Sequence, residues 1–403
     1  MKTVVVIGGG ASGMMAALSA SENPDNRIIV LERQQRVGRK LLATGNGRCN
    51  LTNVDAKPAN YHGEQADFAV TALEKFPPKK VLEFFRDLGL LTVTEYGGRV
   101  YPMSNSANSV VDVLRFALCR DNIEVRPSCP ARELVKRGAG FLVRTDDGDI
   151  NADYVIMACG GAAGAKIGGV TDGYDLLKNL GHKRTALRPA LVQLVTDPTY
   201  PRALKGVRAQ TSVRLVAGGE VLAESEGELQ FTETGLSGPA AFDISRAASF
   251  CGEGGTVHVD FLSGLETESI VELMMNRAET MPNLAAEDIL TGVLHNRLGK
   301  MVVKYAQVNG SRRLCELDDA NIQSIAAACK DFELKLLGVG GFDSAQVTAG
   351  GIKTTGVNPS TMESWFVPHL FICGELLDID ADCGGYNLQW AWASGYLAGR
   401  LGE

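Results

Sequence analysis

The chain has 403 residues, of which 45% are hydrophobic and 22% are charged, and it carries a formal net charge of −7 at pH 7. The length predicts roughly two or three lobes. The acidic balance argues against a surface coated with basic groups, but it is compatible with a local basic groove. The 9 cysteines form no C-x-x-C pair and no signal peptide is recognised, which predicts free thiols in a cytoplasmic protein. No apolar run is long enough to cross a bilayer, so no membrane partner is expected, and the 5 scattered histidines predict no metal site.

An apolar strand, Val4–Ile7, runs into a glycine-rich turn and then into a helix. The turn has the G-x-G-x-x-G spacing of a dinucleotide-binding motif, in which glycines let the backbone approach a pyrophosphate and the helix N-terminus attracts the phosphates. A second apolar run ends in Glu32, where an acidic side chain would reach ribose hydroxyls. The pattern favours a bound dinucleotide over a turn without a ligand, and its position in the chain favours FAD over NAD. The residues predicted to bind it here are Gly8, Gly10, Ala11, Ser12, Gly13 and Glu32.

A polar segment that is rich in glycine and in basic residues follows, over residues 33–53. Such a run cannot form a core, but its backbone N–H groups and cationic side chains suit an anionic ligand. We expect it to pass along the pyrophosphate and reach the flavin ring, with a solvated surface loop as the alternative. The predicted cofactor contacts in this segment are Arg33, Arg39, Lys40, Gly45, Asn46, Arg48 and Asn50.

The chain from residue 66 to residue 131 alternates between helical and strand patterns. Apolar spacing predicts amphipathic helices over residues 66–89 and a hairpin over residues 92–100. A further helix leads to a short strand over residues 123–126. In dinucleotide folds such a strand often brings backbone groups to the adenine, so Val125 and Ala131 are predicted to contact it.

A fully apolar strand over residues 154–158 ends in Cys159, Gly160 and Gly161, after a predicted hairpin over residues 141–152. It suits a buried parallel strand whose carboxyl end meets the nucleotide, so its last residues are predicted cofactor contacts. The glycine-rich loop that follows is not a second dinucleotide motif. No separate nicotinamide domain is therefore predicted.

From residue 188 the pattern changes to short, partly alternating strands, which predict an antiparallel sheet or a small barrel. Residues 265–335 are predicted to be mostly helical. Two stretches within this part, residues 202–214 and 297–313, contain basic residues but no acidic ones. They are interpreted either as solvated faces or as a groove for an anionic substrate such as RNA.

The last part of the chain returns to apolar strands that end in glycines. The strand over residues 370–373 leads into Gly374 and Glu375, whose carboxylate could accept hydrogen bonds from ribityl hydroxyls. A glycine turn then opens a helix whose N-terminus could face the flavin and stabilise negative charge on it, with an ordinary packing helix as the alternative. The predicted contacts there are Gly385, Tyr386, Asn387 and Leu388. The resulting division is an FAD-binding domain formed by residues 1–187 and 345–403, with residues 188–344 as an inserted substrate lobe.

Several motifs together resemble the BaiN/RdsA family of FAD-dependent oxidoreductases. They are the segments 8–13, 44–53 (TGNGRCNLTN), 231–239 (FTETGLSGP), 347–351 (VTAGG), 373–375 (CGE) and 384–389 (GGYNLQ). The resemblance covers nearly the whole chain. It implies an α/β fold with a Rossmann-like FAD-binding domain and an inserted β-barrel plus α-helical lobe. Family members include a reductase of unsaturated 3-oxo bile acids, a ribosomal-RNA dihydrouridine synthase and proteins described as aminoacetone oxidases.

The leading functional hypothesis is NAD(P)H-driven reduction of an activated carbon–carbon double bond in a small-molecule substrate. Hydride would pass from flavin N5 to the substrate, and an acid would protonate the neighbouring carbon. Cys49 and Tyr386 are the candidate acids because both lie beside predicted flavin loops. The alternatives are a dihydrouridine synthase that acts on ribosomal RNA, a flavin amine oxidase for an aminoacetone-like substrate, and a flavin-binding sensor without activity. The sequence does not predict the oligomeric state.

Overall fold

Two units divide the chain in a computed structural model that describes residues 1–403. The first unit consists of Met1–Arg188 and Phe342–Glu403, and the inserted unit is Pro189–Gly341. The predicted assignment of FAD binding to one part and of substrate binding to the other stays a prediction.

The elements alternate between strand and helix at both ends of the chain. The strands are β1 (Lys2–Ile7), β2 (Asn26–Leu31), β3 (Thr52–Asn53), β4 (Tyr61–His62), β5 (Thr92–Thr94), β6 (Arg99–Pro102), β7 (Ile123–Arg126), β8 (Ala131–Arg137), β9 (Gly140–Thr145), β10 (Gly148–Ala152), β11 (Tyr154–Met157), β12 (Arg188–Ala190), β13 (Leu194–Thr196), β14 (Arg208–Ala217), β15 (Glu220–Phe231), β16 (Gly235–Ser237), β17 (Thr256–Asp260), β18 (Phe332–Val339), β19 (Val347–Ala349), β20 (Leu370–Ile372) and β21 (Asp380–Ala381). The helices are α1 (Ala11–Ala20), α2 (Phe68–Lys75), α3 (Pro78–Asp87), α4 (Ala107–Ala117), α5 (Asp172–Lys178), α6 (Pro239–Cys251), α7 (Thr267–Thr280), α8 (Asn296–Tyr305), α9 (Asp319–Lys330) and α10 (Tyr386–Gly399).

A five-stranded parallel sheet in the order β20-β11-β1-β2-β7 forms the centre of the first unit. Its three central strands are almost wholly apolar and buried, as expected for a parallel sheet that is covered on both faces. All five strands run in the same direction, so their carboxyl ends and the loops that follow lie at one edge of the sheet. This topology confirms the predicted α/β, Rossmann-like fold class.

The C-terminal helix α10 packs on the first helix, α1, through a glycine. A Cβ atom placed on Gly395 would lie only 2.4 Å from the backbone oxygen of Ser12, so any side chain there would force the helices apart. The hydroxyl of Ser19 also donates to the carbonyl of Tyr396 at 2.9 Å. Close backbone approach therefore holds the two ends of the first unit together.

Smaller antiparallel sheets complete the first unit. The predicted hairpins over residues 92–100 and 141–152 are confirmed as β5–β6 and β9–β10. Each of them gains a third strand that the sequence did not predict, since β3 pairs with β6 and β8 pairs with β9. The predicted helices over residues 66–89 are confirmed as α2 and α3.

A closed barrel of six strands, in the order β13-β16-β15-β14-β17-β18, forms the inserted unit together with helices α6 to α9. The predicted barrel and helical lobe are therefore confirmed. The helical prediction over residues 265–335 is wrong at its end, because β18 begins at Phe332. From there buried and exposed residues alternate, and β18 pairs with both β17 and β13 to close the barrel. None of the helices combines the length with the apolar character that a bilayer-spanning helix needs.

The close contact between α1 and α10 predicts that a side chain at Gly395 lowers the stability of the protein. Gly395→Ala places a methyl group where the backbone oxygen of Ser12 lies, so we expect a loss of about 1–3 kcal/mol in the free energy of unfolding. Thermal melting of the apoprotein measures it. Gly264→Ala is the matched control, since no heavy atom lies within 4 Å of the added Cβ. Equal melting temperatures for the two variants would contradict the close approach.

Candidate functional site

The glycine-rich turn between β1 and α1 contains two kinds of glycine. A Cβ on Gly13 would lie 1.8 Å from the backbone oxygen of Gly8, so the fold itself requires that glycine. Gly10 differs, because its φ of −81° suits any residue and nothing lies within 4 Å of an added Cβ. Protein packing does not explain a glycine at position 10. A ligand that lies close to the backbone would explain this glycine, and the pyrophosphate of FAD fits that role.

The carboxylate of Glu32 lies against this turn. One oxygen accepts the backbone N–H of Gly9 at 2.9 Å, and the other accepts that of Gln34 at 2.7 Å. Burial raises the pKa of Glu32, although the hydrogen bonds from Gln34 and Gly9 work in the opposite direction. The carboxylate of Glu32 is thus fixed at the end of β2 as a hydrogen-bond acceptor, which the predicted contact with ribose hydroxyls requires.

A second polar contact joins the basic segment to the C-terminal part of the first unit. Lys40 Nζ lies 2.6 Å from Glu375 Oε2, and the other oxygen of Glu375 accepts the backbone N–H of Thr348 at 2.8 Å. A Cβ on Gly161 would lie 3.0 Å from Glu375 Oε1. The structure therefore brings together three predicted cofactor residues from distant parts of the sequence. Thr348, whose hydroxyl also accepts the Ala163 N–H at 2.9 Å, was not among the predicted contacts, although it lies within the VTAGG motif.

The loop over residues 44–53 meets the start of α10. The hydroxyl of Thr52 donates to Gln389 Oε1 at 2.6 Å, and the side-chain amide of Asn53 donates to the carbonyl of Gly384 at 3.0 Å. A Cβ on Gly385 would lie 2.4 Å from the backbone oxygen of Thr52. These contacts place the GRCN and GGYNLQ motifs side by side. The contact of Gln389 with Thr52 was not predicted, although Gln389 belongs to the GGYNLQ motif.

Asn50 provides a second test of whether the site fits FAD. Its Oδ1 atom is buried without a hydrogen-bond partner, and a Cβ on Gly385 would lie 2.8 Å from it. A buried acceptor without a partner carries a free-energy cost of about 1–3 kcal/mol unless a ligand or water satisfies it. Asn50 therefore suits a polar ligand that lies between the loop and the start of α10.

Several predicted contacts have side chains that are already bonded to protein groups. Both amide atoms of Asn387 bond to the backbone of Ala381, which leaves its backbone N–H for a ligand. Arg39 donates to Gln34 at 2.6 Å, and Arg33 lies 3.8 Å from Asp172. These side chains therefore shape the site rather than point freely at a phosphate.

The side chain of Arg48 is also bonded to other protein groups. Its guanidinium forms a two-pronged ion pair with Glu95, and its central carbon lies 3.9 Å from the centre of the Tyr101 ring. The loop just before it includes Gly45 and Asn46, both with a left-handed φ of 56°. Arg48 is thus an anchor for the neighbouring hairpin, which the sequence could not show.

The remaining predicted contacts lie at the same edge of the sheet. Val125 is in β7, opposite Val30, while Ala131 begins β8, and the backbone N–H of Cys129 just before it donates to the carbonyl of Glu32 at 2.9 Å. Gly160, in the loop after β11, has no heavy atom within 4 Å of an added Cβ, but its φ of 73°, unlike that of Gly10, itself favours glycine.

The two candidate acids differ in exposure. Cys49 is 0% exposed, and burial raises the pKa of its thiol to about 12. Tyr386, the first residue of α10, is half-buried, with its ring near Gly384. Cys159, a predicted contact, also has its thiol pKa raised to about 12 by burial. Of the two candidate acids, Tyr386 is partly exposed and Cys49 is fully buried, so Tyr386 is the one from which a substrate could take a proton.

The basic stretches of the inserted unit have acidic partners that come from elsewhere in the sequence. The ion pairs are Lys205–Glu233 at 2.9 Å, Arg208–Glu228 at 3.4 Å, Arg214–Asp331 at 3.6 Å, Lys300–Glu287 at 2.7 Å and Arg313–Glu316 at 2.8 Å. Most of their charge is therefore balanced locally. This favours the solvated-face interpretation over an open groove for RNA.

Comparisons with known proteins extend over the whole chain. A 3-dehydro-bile acid delta(4,6)-reductase from Clostridium scindens is 39% identical over 99% of this chain and 98% of that protein. A ribosomal RNA dihydrouridine synthase from Escherichia coli is 28% identical over 98% of this chain and 96% of that protein. The crystal structure of 3-ketosteroid delta1-dehydrogenase from Sterolibacterium denitrificans has a similar fold, with a TM-score of 0.54 at 13% identity over 99% of both chains.

The family comparison agrees with the site geometry. The HI0933-like protein Rossmann domain matches residues 2–401. The motifs around the glycine-rich turn, the GRCN loop and the start of α10 lie within this range, and they meet at one edge of one sheet. The chain therefore belongs to the HI0933-like family, which confirms the resemblance to BaiN and RdsA, and it is an FAD-dependent oxidoreductase.

Proposed function

We propose that this protein is an NAD(P)H-driven reductase of an activated carbon–carbon double bond, with an unsaturated 3-oxo steroid of the bile-acid type as its substrate. The observation that carries the proposal is the 39% identity to a 3-dehydro-bile acid delta(4,6)-reductase over 99% of the chain, against 28% to a dihydrouridine synthase. The locally balanced basic stretches support a small-molecule substrate. All 9 cysteines are free, in keeping with a cytoplasmic location.

FAD would be held mainly by backbone groups at the carboxyl edge of the parallel sheet. The turn at Gly10 and the N-terminus of α1 would bind the pyrophosphate, and Glu32 would accept ribose hydroxyls. Lys40 and Glu375 would bind along the ribityl chain, and Asn50 would donate to or accept from the ring edge. When bound, FAD supplies hydride transfer between NAD(P)H and the double bond of the substrate.

The start of α10 would stabilise negative charge at the flavin ring. This helix spans 14 residues and has no acidic residue in its first turn. Its first backbone N–H groups have no partner within the helix, and its dipole is positive at this end. Gly385 precedes it with a φ of 100°, so the turn brings backbone rather than a side chain to this position.

Tyr386 would donate the proton that completes the reduction. Its phenol lies at the start of α10, and its backbone oxygen accepts the hydroxyl of Tyr61 at 3.2 Å, which fixes the position of the residue. Complete burial of Cys49 argues against the other candidate. A phenol O–H can act as a general acid, giving its proton to the carbon next to the one that receives the hydride.

Reduction of uridine in ribosomal RNA is the second candidate function. The similarity to dihydrouridine synthases extends across 96% of the Escherichia coli protein, and it supports this alternative. The double bond of uracil is conjugated to a carbonyl, as is that of an unsaturated 3-oxo steroid. The same arrangement of hydride donor and proton donor would therefore serve either substrate.

The decisive experiment is anaerobic turnover with purified protein. With NADH or NADPH and a 3-oxo bile acid that has double bonds at C4 and C6, we expect flavin reduction by the nucleotide and a product heavier by two hydrogens per reduced bond. Mass spectrometry and flavin absorbance measure both steps. Failure of both nucleotides to reduce the flavin would refute the proposed reductant. Turnover of uridine-containing ribosomal RNA instead of the steroid would select the second candidate.

Gly10→Ala tests the proposed pyrophosphate contact. We expect the Kd for FAD to rise at least about tenfold, or about 1.4 kcal/mol, because the methyl group would occupy the space next to the phosphates. Since the added Cβ contacts no protein atom, the melting temperature of the apoprotein should change little. FAD titration by fluorescence quenching measures the Kd, with Gly264→Ala as the control. Unchanged FAD affinity would show that the cofactor does not approach Gly10.

Tyr386→Phe tests the proton donor. We expect flavin reduction by NAD(P)H to keep its rate, while the subsequent reduction of the substrate slows about 10²-fold, the lower range for loss of a general acid. Stopped-flow absorbance separates the two half-reactions. Tyr154→Phe, at the start of β11, is the control for loss of a phenol elsewhere in the first unit. An unchanged second half-reaction would exclude Tyr386 as the donor.

A further inference from the structure

A guanidinium without a protein partner lies in the small sheet next to the start of α10. Arg99, the first residue of β6, is partly buried, and its side chain forms no ion pair or hydrogen bond within the protein. The neighbouring Arg48 differs, because its guanidinium is paired with Glu95. A cation that the fold leaves unpaired is available to an oxygen atom of a ligand.

Strand pairing sets the direction of the Arg99 side chain. β6 pairs with β3 so that Arg99 lies opposite Asn53, and the side chains of directly opposite residues point to the same face of a sheet. Tyr101 is two residues further along β6, so its side chain points to that face as well. We call these three side chains the Arg99 face.

One end of the Arg99 face lies against the start of α10. The side-chain amide of Asn53 donates to the carbonyl of Gly384 at 3.0 Å. A Cβ placed on Gly384 would lie 3.0 Å from Cε2 of Tyr386 and 3.6 Å from Nδ2 of Asn53, so that ring and that amide are neighbours. Opposite residues in a sheet have Cβ atoms about 4.5–5.5 Å apart, which is less than the length of an arginine side chain. Arg99 is therefore close to the proposed proton donor.

The other end of the Arg99 face lies against the loop over residues 44–53. A Cβ on Gly45 would lie 3.4 Å from Cε1 of Tyr101, and the Arg48 guanidinium stacks on the same ring. Burial raises the pKa of Tyr101, and the charge of Arg99 opposes that rise more strongly than the charge of Arg48 does. The guanidinium of Arg99 therefore lies near the Tyr101 ring, on the side of the sheet that meets the predicted flavin loop.

The proposed reduction needs a group that stabilises negative charge on the substrate. When hydride adds to the far carbon of a double bond conjugated to a carbonyl, the π electrons move onto the carbonyl oxygen. A proton from Tyr386 to the nearer carbon then restores the carbonyl, so each reduced bond consumes one hydride from NAD(P)H and one proton. Removing a single donor to such a developing oxyanion typically slows a reaction about 10²–10³-fold.

We propose that Arg99 binds the carbonyl oxygen of the substrate and stabilises the negative charge that develops there during hydride transfer. This inference rests on the proposed function and adds a second catalytic residue beside Tyr386. Arginine stays charged throughout the working pH range of an enzyme and offers several N–H donors to one oxygen. Arg48 stacks on the same tyrosine ring, but Glu95 already neutralises it. Arg99 is the cation that remains available on this face.

The test compares Arg99→Gln and Arg99→Lys with Arg137→Gln in the FAD-loaded enzyme. Arg137, the exposed last residue of β8, is the matched control, because its substitution removes the same charge from a strand of another sheet. The probes are the 3-oxo bile acid with double bonds at C4 and C6, and a neutral 3-oxo steroid that has the same double bonds but no carboxylate. Stopped-flow absorbance follows the two half-reactions, and titration of the oxidised enzyme gives Kd for each steroid.

We expect Arg99→Gln to slow the reduction of both steroids about 10²-fold, while flavin reduction by NAD(P)H and the melting temperature stay unchanged. Kd for the two steroids should change much less, because a neutral ketone interacts weakly with the cation until charge develops on its oxygen. Arg99→Lys keeps the charge and should retain part of the rate, and Arg137→Gln should behave as the unmodified enzyme.

A second readout is independent of turnover. A cation at the carbonyl oxygen polarises the conjugated double bonds, so we expect the absorption band of the steroid to move to longer wavelength when it binds the oxidised enzyme. Arg99→Gln should abolish this shift at saturating steroid, and Arg137→Gln should preserve it. Loss of Arg99 through a purely structural effect would leave the band of the bound steroid unchanged.

Three outcomes would overturn the inference while the proposed function stands. Arg99→Gln could reduce both steroids at the rate of the unmodified enzyme, in which case Arg99 has no catalytic role. A rise in Kd for the bile acid alone, with unchanged rates at saturation, would show that Arg99 binds the carboxylate instead. An equal loss of rate in Arg137→Gln would point to a general effect of surface charge.

Failure of the proposed function gives a different result. If the unmodified enzyme reduces neither steroid, the same variants are compared with uridine-containing ribosomal RNA, in which a carbonyl is likewise conjugated to the double bond. A selective loss of rate in Arg99→Gln would then support the inference for the second candidate function. If the unmodified enzyme reduces no steroid and no RNA, the proposed function and the inference both fall.

Discussion

The approach of α10 to α1 is the constraint on which the rest of the first unit depends. The backbone of α10 lies against Ser12 at Gly395, and Ser394 and Trp390 exchange hydrogen bonds with the backbone of Gly374 at 3.0 Å. These contacts attach the strand β20 and the residues after it to the first helix. As a result, Glu375 lies next to Lys40, and the turn before α10 lies next to the loop over residues 44–53. Without that packing, these segments would not come together at the carboxyl edge of the parallel sheet.

Most polar side chains at this edge are satisfied by other protein groups, and this decides how a cofactor can be held. Thr52 and Gln389 bond to each other, and the amide of Asn387 bonds to the loop before α10. Buried polar groups that pair in this way set the loops in one arrangement. The groups left over are backbone N–H groups and the buried oxygen of Asn50, while the carboxylate of Glu32 already accepts from Gly9 and Gln34. A nucleotide with many hydrogen-bonding groups suits such a surface. To bind it, the protein needs precisely placed backbone groups more than mobile charged side chains.

The sequence predicted those features that depend on local pattern. Glycine spacing and apolar runs were sufficient for β1, α1, the parallel sheet and the cofactor, and the GRCN and GGYNLQ motifs led to the family. Contacts between distant residues were not predictable in detail, because Thr52 and Gln389 are 337 positions apart. For the same reason, the acidic partners of the basic stretches were not predicted. Arg208 comes close to Glu228 only because β14 pairs with β15. Cys49 was singled out by its neighbours in sequence, whereas its complete burial depends on packing from the rest of the unit.

The interrupted first unit has a consequence for how the chain folds during synthesis. All six barrel strands belong to one continuous segment, so the barrel can close as soon as β18 has left the ribosome. The parallel sheet acquires its edge strand β20 only later, and α10 later still. Until then, the apolar face of α1 that α10 covers stays in contact with water. The nascent protein therefore has a complete barrel while its nucleotide-binding fold is still incomplete, and this face of α1 is open to chaperones until α10 has been made.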